Sequence, residues 1–150
     1  MNSYKHYLTM WGVLALLYTL ATVCLEFLEG NKISTTIYYG LKNVGLGFIL
    51  FNLVHSLFLY LISFLPLTFF LNKLTKSFSL RIIIYSFIGG LSGIWVFDHL
   101  YGFENLITTY ELNRSSAIIV FGVSGFVYSL ADYYNLNKGK PSPPFIFVNE

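Results

Sequence analysis

With 150 residues, 55% of them hydrophobic and only 11% charged, against roughly 25% charged in an average soluble domain, the chain has too little polar surface to dissolve. The net charge of +2 comes from nine basic residues spread thinly between apolar runs, which excludes the basic face that nucleic-acid binding requires. Cys24 is the single cysteine, so an intramolecular disulfide and a cysteine-built zinc cluster are excluded as well.

The first apolar run, Tyr7 to Leu25, follows a short head carrying Lys5 and resembles the start of a secretory signal. It ends in Cys24-Leu25-Glu26-Phe27-Leu28-Glu29, with no small-x-small cleavage site, and Val23 stands where a lipoprotein box wants a small residue. A retained first helix is expected. Glu29-Gly30-Asn31-Lys32 is a turn signal, and the β-branched and aromatic strip from Ile33 to Tyr39 is too short to span. The rings of Tyr38 and Tyr39 suit the headgroup layer.

The second run, Val44 to Leu71, holds 28 consecutive residues without a formal charge. A soluble helix would place a charge every few residues, so this is a membrane-spanning pattern. Pro66, near its end, is expected to kink the helix or terminate it early. Asn72 to Arg81 is a polar break with Lys73, Lys76 and Arg81 and no acid. The third run, Ile82 to Tyr101, carries Asp98-His99 in its last turn, and Gly102 to Ser116 is a polar connection. The fourth run, Ala117 to Tyr134, is interrupted by Asp132, and the tail holds Lys138, Lys140 and Pro141-Ser142-Pro143-Pro144. These runs predict an all-α, integral membrane four-helix bundle with helices about 7–25, 44–71, 82–101 and 117–134. One transmembrane domain, 1–150, includes a short Pro-containing cytoplasmic tail, 135–150.

The head, second connection and tail hold one, three and two Lys or Arg; the first and third connections hold two and one, and with Asp98 carry five of the seven acids. The positive-inside rule therefore places both termini in the cytoplasm.

Asn52, His55, Ser56 and Ser63 are spaced to share one face of the second helix. A polar group at such depth needs a partner or water, so Asn52, His55 and Ser56 read as either a proton or ion relay or as interhelical hydrogen bonds. Asp98 and His99, being adjacent, point about 100° apart on a helix and do not pair with each other. Asp98 reads as a helix-end group reaching water or as the mouth of a pathway. Gly89 and Gly93 form a GxxxG pair, and Gly125 with Ser129 offers a second small face, both suited to close helix packing. Asn113-Arg114-Ser115 has the form of a glycosylation sequon on the third connection. There is no phosphate-binding loop, nucleophile elbow or metal-ligand spacing, so no catalytic, cofactor or metal residue is assigned.

The layout of four apolar runs, a short basic middle loop with Lys73, Lys76 and Arg81, and a tail with Lys138 and Lys140 resembles small uncharacterised four-pass membrane proteins of Gram-positive bacteria. The richness in Phe, Ile, Tyr, Asn and Lys matches an AT-rich bacterial genome. That resemblance implies a bacterial cell (inner) membrane location. Small multidrug exporters share the size and helix count but carry a glutamate in mid-first helix, and none is present here. The expected function is non-enzymatic, acting through helix contact with itself or another membrane protein in the bilayer. The alternative is a small oligomeric channel or transporter using the polar face of the second helix.

Overall fold

The structure, a computed structural model, describes residues 3–33, 45–74, 77–102 and 105–137. In chain order these form α1 (Ser3–Leu28), a 3-10 turn (Gly30–Lys32), α2 (Leu46–Leu59), a π-helical turn (Tyr60–Phe64), α3 (Leu65–Leu74), α4 (Phe78–Tyr101), α5 (Leu106–Thr109) and α6 (Arg114–Asn137). Four stretches, Tyr4–Lys32, Gly47–Lys73, Phe78–Tyr101 and Arg114–Asn137, are long and apolar enough to cross a membrane. The protein is an all-α, four-helix membrane bundle. At 26 and 24 residues, α1 and α4 are about 39 and 36 Å long, enough to cross a roughly 30 Å hydrocarbon core with a turn to spare. That spare turn is why most helix ends run past the apolar boundaries read from sequence.

Pro66 does not end the second span, which continues to Leu74; the chain widens just before it. Leu65 N–H reaches back five residues to Tyr60 C=O through the π turn. Pro66 then stands in the first turn of α3, inside the continuous span, where it has no N–H to give to the preceding turn. The wide turn also fixes the facing of the span. The buried residues Asn52, Ser56, Tyr60, Phe64 and Thr68 recur every four positions, a period that would drift around a 3.6-residue helix and that a π turn brings back toward the bundle.

The third connection, expected to be polar, contains α5. Its end is a Schellman-type stop: Leu112 N–H donates to Ile107 C=O while Glu111 takes positive φ, 50°. Asn113 then caps α6, its side-chain oxygen accepting the Ser115 N–H at 2.9 Å. The asparagine of the sequon-like tripeptide is therefore a helix cap. The strip expected past Ile33, from residue 34 to Tyr39, and the tail from Lys138 lie outside the described residues.

α4 and α6 make the closest helix pair, α6 also packs on α1, and α1 on α2. Glycine sets the α4–α6 approach. A Cβ on Gly89 would stand 2.4 Å from Phe121 O, one on Gly93 2.5 Å from Ala117 O, and one on Gly125 2.2 Å from Tyr85 O. Backbone meets backbone at all three, as small residues permit in membranes. The second span meets α4 through large side chains, with Phe64 parallel to Tyr85 at 6.3 Å. Two apolar clusters result. One holds Ala21, Leu25, Val96, Phe97, Tyr101, Ala117 and Phe121; the other holds Met10, Leu14, Tyr60, Phe64, Leu71, Tyr85 and Tyr128. Outside, Leu16, Ile62, Phe70, Ile83, Phe87 and Ile119 are each more than half exposed, a surface that suits lipid.

Gly→Ala normally stabilises a helix by about 0.5–1 kcal/mol. Gly12, where an added Cβ meets nothing within 4 Å, should follow that sign. Gly125→Ala should instead lower stability by about 1–3 kcal/mol through overpacking, seen as opposite shifts in melting temperature for the two variants in detergent.

Candidate functional site

Polar side chains are buried at both ends of the bundle and between them. At the end where α1 begins, α4 begins and α6 finishes, Asp132 is fully buried. Arg81 Nη1 donates to its Oδ2 at 2.8 Å and to Asn72 Oδ1 at 2.8 Å, and Arg81 Nη2 donates to Leu71 C=O at 3.1 Å. His6 Nε2 stands 3.1 Å from Asp132 Oδ1, off the line of a hydrogen bond. One carboxylate thus draws α1, α3, α4 and α6 together. An unpaired buried carboxylate would cost several kcal/mol, and the fork of a guanidinium supplies the directional donors that offset it.

One to three turns deeper lies a cluster of hydroxyls. Thr68 Oγ1 bonds the Tyr85 hydroxyl at 2.9 Å and meets the Tyr128 hydroxyl at 3.4 Å; Tyr60 donates to Tyr7 C=O at 2.8 Å. Where the two apolar clusters meet there is a cavity of about 30 Å³, bordered by Tyr128, Phe64, Phe121, Ser92, Ser124 and Tyr18.

Toward the opposite end, Tyr18 also borders a second, smaller cavity of about 20 Å³, shared with Thr22, Asn52, His55, Trp95 and His99. His55 is half-buried and stacks on Tyr18 at 5.7 Å and on Trp95 at 5.7 Å, and Trp95 stacks on His99 at 5.6 Å. His55 Nε2 is buried without a hydrogen-bond partner among the described residues. Asn52 and Ser56, which the sequence places on the same face, are buried but bond their own helix, to Phe48 C=O and Leu53 C=O. Asp98 is apart from this cleft, paired with Arg114 at 2.9 Å with both side chains about half exposed, so the pair adds little stability. Ser129 is fully buried and bonds Phe126 C=O of its own helix.

At the far end, Tyr101 donates to buried Glu26 at 2.9 Å, and a Cβ on Gly30 would fall 2.4 Å from the Glu26 carboxyl carbon. Glu29, also buried, accepts from Lys32 at 2.7 Å, from the Asn113 N–H at 3.0 Å and from the Ser116 hydroxyl. Its carboxylate therefore ties the end of α1 to the positive N-terminus of α6.

His6, Arg81, Asp132, Glu26 and Glu29 were not singled out by sequence reasoning as site residues. Antiparallel threading puts the start of the first and third helices and the end of the fourth at one membrane face, so Asp132 in an apolar run could have been matched with Arg81. Among the described residues no three or more His, Cys, Asp or Glu side chains gather as a metal site. Comparison with protein-family models, with curated proteins and with solved structures finds no match.

Removing the carboxylate leaves Arg81 buried without its counter-charge. Asp132→Ala should lower stability by about 3–5 kcal/mol, measured by denaturant or thermal unfolding in mild detergent.

Proposed function

We propose that this is a non-enzymatic membrane protein that works through helix contact with a second copy of itself or with another membrane protein. One observation carries this reading. Along the flank of α1, Trp11, Gly12, Ala15, Leu16, Thr19 and Leu20 with Leu53 border an apolar groove of about 480 Å³. Gly12 faces open space. A groove floored by small residues admits a neighbouring helix backbone. Gly89, Gly93 and Gly125 are used up inside the bundle, whereas the α1 flank keeps Gly12 open to a partner. The connections between spans are short and present little else.

The same reading places the protein in a bacterial cell membrane, multi-pass, with both termini in the cytoplasm. The orientation rests on six of the nine Lys and Arg lying on the side of the termini. Lipid is the surrounding partner and nucleic acid is not one.

In nanodiscs the protein should run as a defined oligomer or co-purify with a membrane partner. Gly12→Leu, whose side chain fills the groove without touching the α4–α6 contact, should release it while leaving the melting temperature within a few degrees. A wild-type protein that is monomeric and partner-free, or an assembly indifferent to Gly12→Leu, would refute the groove. For orientation, a cysteine at Asn137 in a chain whose exposed Cys24 has been replaced should be labelled in intact cells only after permeabilisation. Labelling from outside would reverse the topology.

A further inference from the structure

We infer that the cleft around His55 binds a neutral lipid with a single hydroxyl, a long-chain alcohol in chemical class, whose oxygen meets His55 Nε2 and whose chain lies in the bilayer. The site is separate from the α1 flank and does not depend on what covers that groove.

Three helices build the cleft: Tyr18 and Thr22 come from α1, Phe51 and His55 from α2, and Trp95 and His99 from α4. Between α4 and α6 glycines let backbone meet backbone, whereas the second span meets α4 here through rings, with His55 5.8 Å from Phe51 and 5.7 Å from Trp95. Thr22 is buried, while Phe51 and Trp95 are 59% and 52% exposed on the surface that faces lipid. The cleft therefore runs from the bundle interior to its flank, and a ligand enters sideways from the bilayer.

The chemistry of the cleft selects the ligand. His55 Nε2 is buried and has no hydrogen-bond partner among the described residues, so an occupant that bonds it removes the cost of an unmade bond. Thr22 donates its hydroxyl proton to Thr19 C=O and keeps its oxygen as an acceptor on the same cavity. A hydroxyl both donates and accepts, so it suits His55 Nε2 in either tautomer and Thr22 as well. No Lys, Arg, Asp or Glu borders the cavity, and a charged headgroup there would be buried without a counter-charge. The volume of about 20 Å³ holds one oxygen-sized group, since a water needs roughly 10–15 Å³, and is too small for a branched headgroup. The half-exposed rings of Phe51 and Trp95 form an apolar rim that a methylene chain covers and a lone water does not.

The experiment uses the full chain in phosphatidylcholine nanodiscs and two photoactivatable probes. One is hexadecanol carrying a diazirine close to its hydroxyl end; the other is its methyl ether, which has no O–H and whose methyl group exceeds the cavity. After illumination, peptide mass spectrometry locates the label. The alcohol should label α2 and α4 beside Phe51, His55 and Trp95, at about fivefold the level of the ether, as one neutral hydrogen bond allows. Unlabelled hexadecanol should displace it. His55→Phe keeps a ring in the stack and removes the nitrogen, so it should bring alcohol labelling down to the ether level while melting as wild type does. Label spread evenly over the lipid-facing helices, equal labelling by alcohol and ether, or undiminished labelling of His55→Phe would each overturn the proposal. Equal labelling is also the result for a cavity that holds only water. The two probes are compared on the wild-type chain, so that comparison decides the matter even where the variant does not fold.

Discussion

Asp132 has no solvent exposure in a bundle whose surroundings are hydrocarbon, and the architecture at that end of the molecule is arranged so that its charge meets partners. Arg81 gives it a direct bond and also donates to Asn72 and the Leu71 carbonyl. His6 stands against the other oxygen. These residues come from four separate helices, so satisfying one carboxylate fixes how α1, α3, α4 and α6 meet. Helix association in lipid has no hydrophobic driving force between apolar surfaces, and a shared buried charge is one of the few interactions strong enough to choose a register. Glu29 plays the same part at the opposite end, where it joins the end of α1 to the cap of α6.

Between those two anchors the packing is set by what is missing. Gly89, Gly93 and Gly125 carry no Cβ where one would strike backbone, and α4 and α6 consequently form the closest pair. The second span solves a different problem. Its inward file of Asn52, Ser56, Tyr60, Phe64 and Thr68 has a period of four, and the π turn at Tyr60–Phe64 lets the helix follow it. The seam between that span and α4 is consequently closed by rings instead of backbone contact, and the two small cavities lie along it.

The second span was legible because an uncharged run longer than a bilayer is thick has no wet face to offer; the other three were legible as shorter apolar runs bounded by polar connections. The small-residue positions Gly89, Gly93, Gly125 and Ser129 could be named from spacing alone, but which helix would face them could not. Pro66 was expected to kink or end the span, and the helix continues past it through a π turn that its presence alone did not reveal. The polar interior was harder. His55 and Asn52 drew attention by standing in the longest apolar run, whereas Arg81 looked like part of a solvated basic loop and Asp132 like an interruption of the last helix. Their pairing spans about fifty residues of sequence, and only the antiparallel threading of the helices brings them together. Glu26 and Glu29 were hidden in the same way, as apparent loop acids that turn inward through contacts with Tyr101, Asn113 and Ser116.

The central claim, that a sealed charge pair organises the bundle, is tested most directly by a double-mutant cycle. Arg81→Gln, Asp132→Asn and the pair together would be unfolded reversibly in the same detergent. A coupling free energy above about 1 kcal/mol between the two sites, within the range for residues in direct contact, is the result this account predicts. Effects that add to within about 0.5 kcal/mol, as independent sites do, would contradict it.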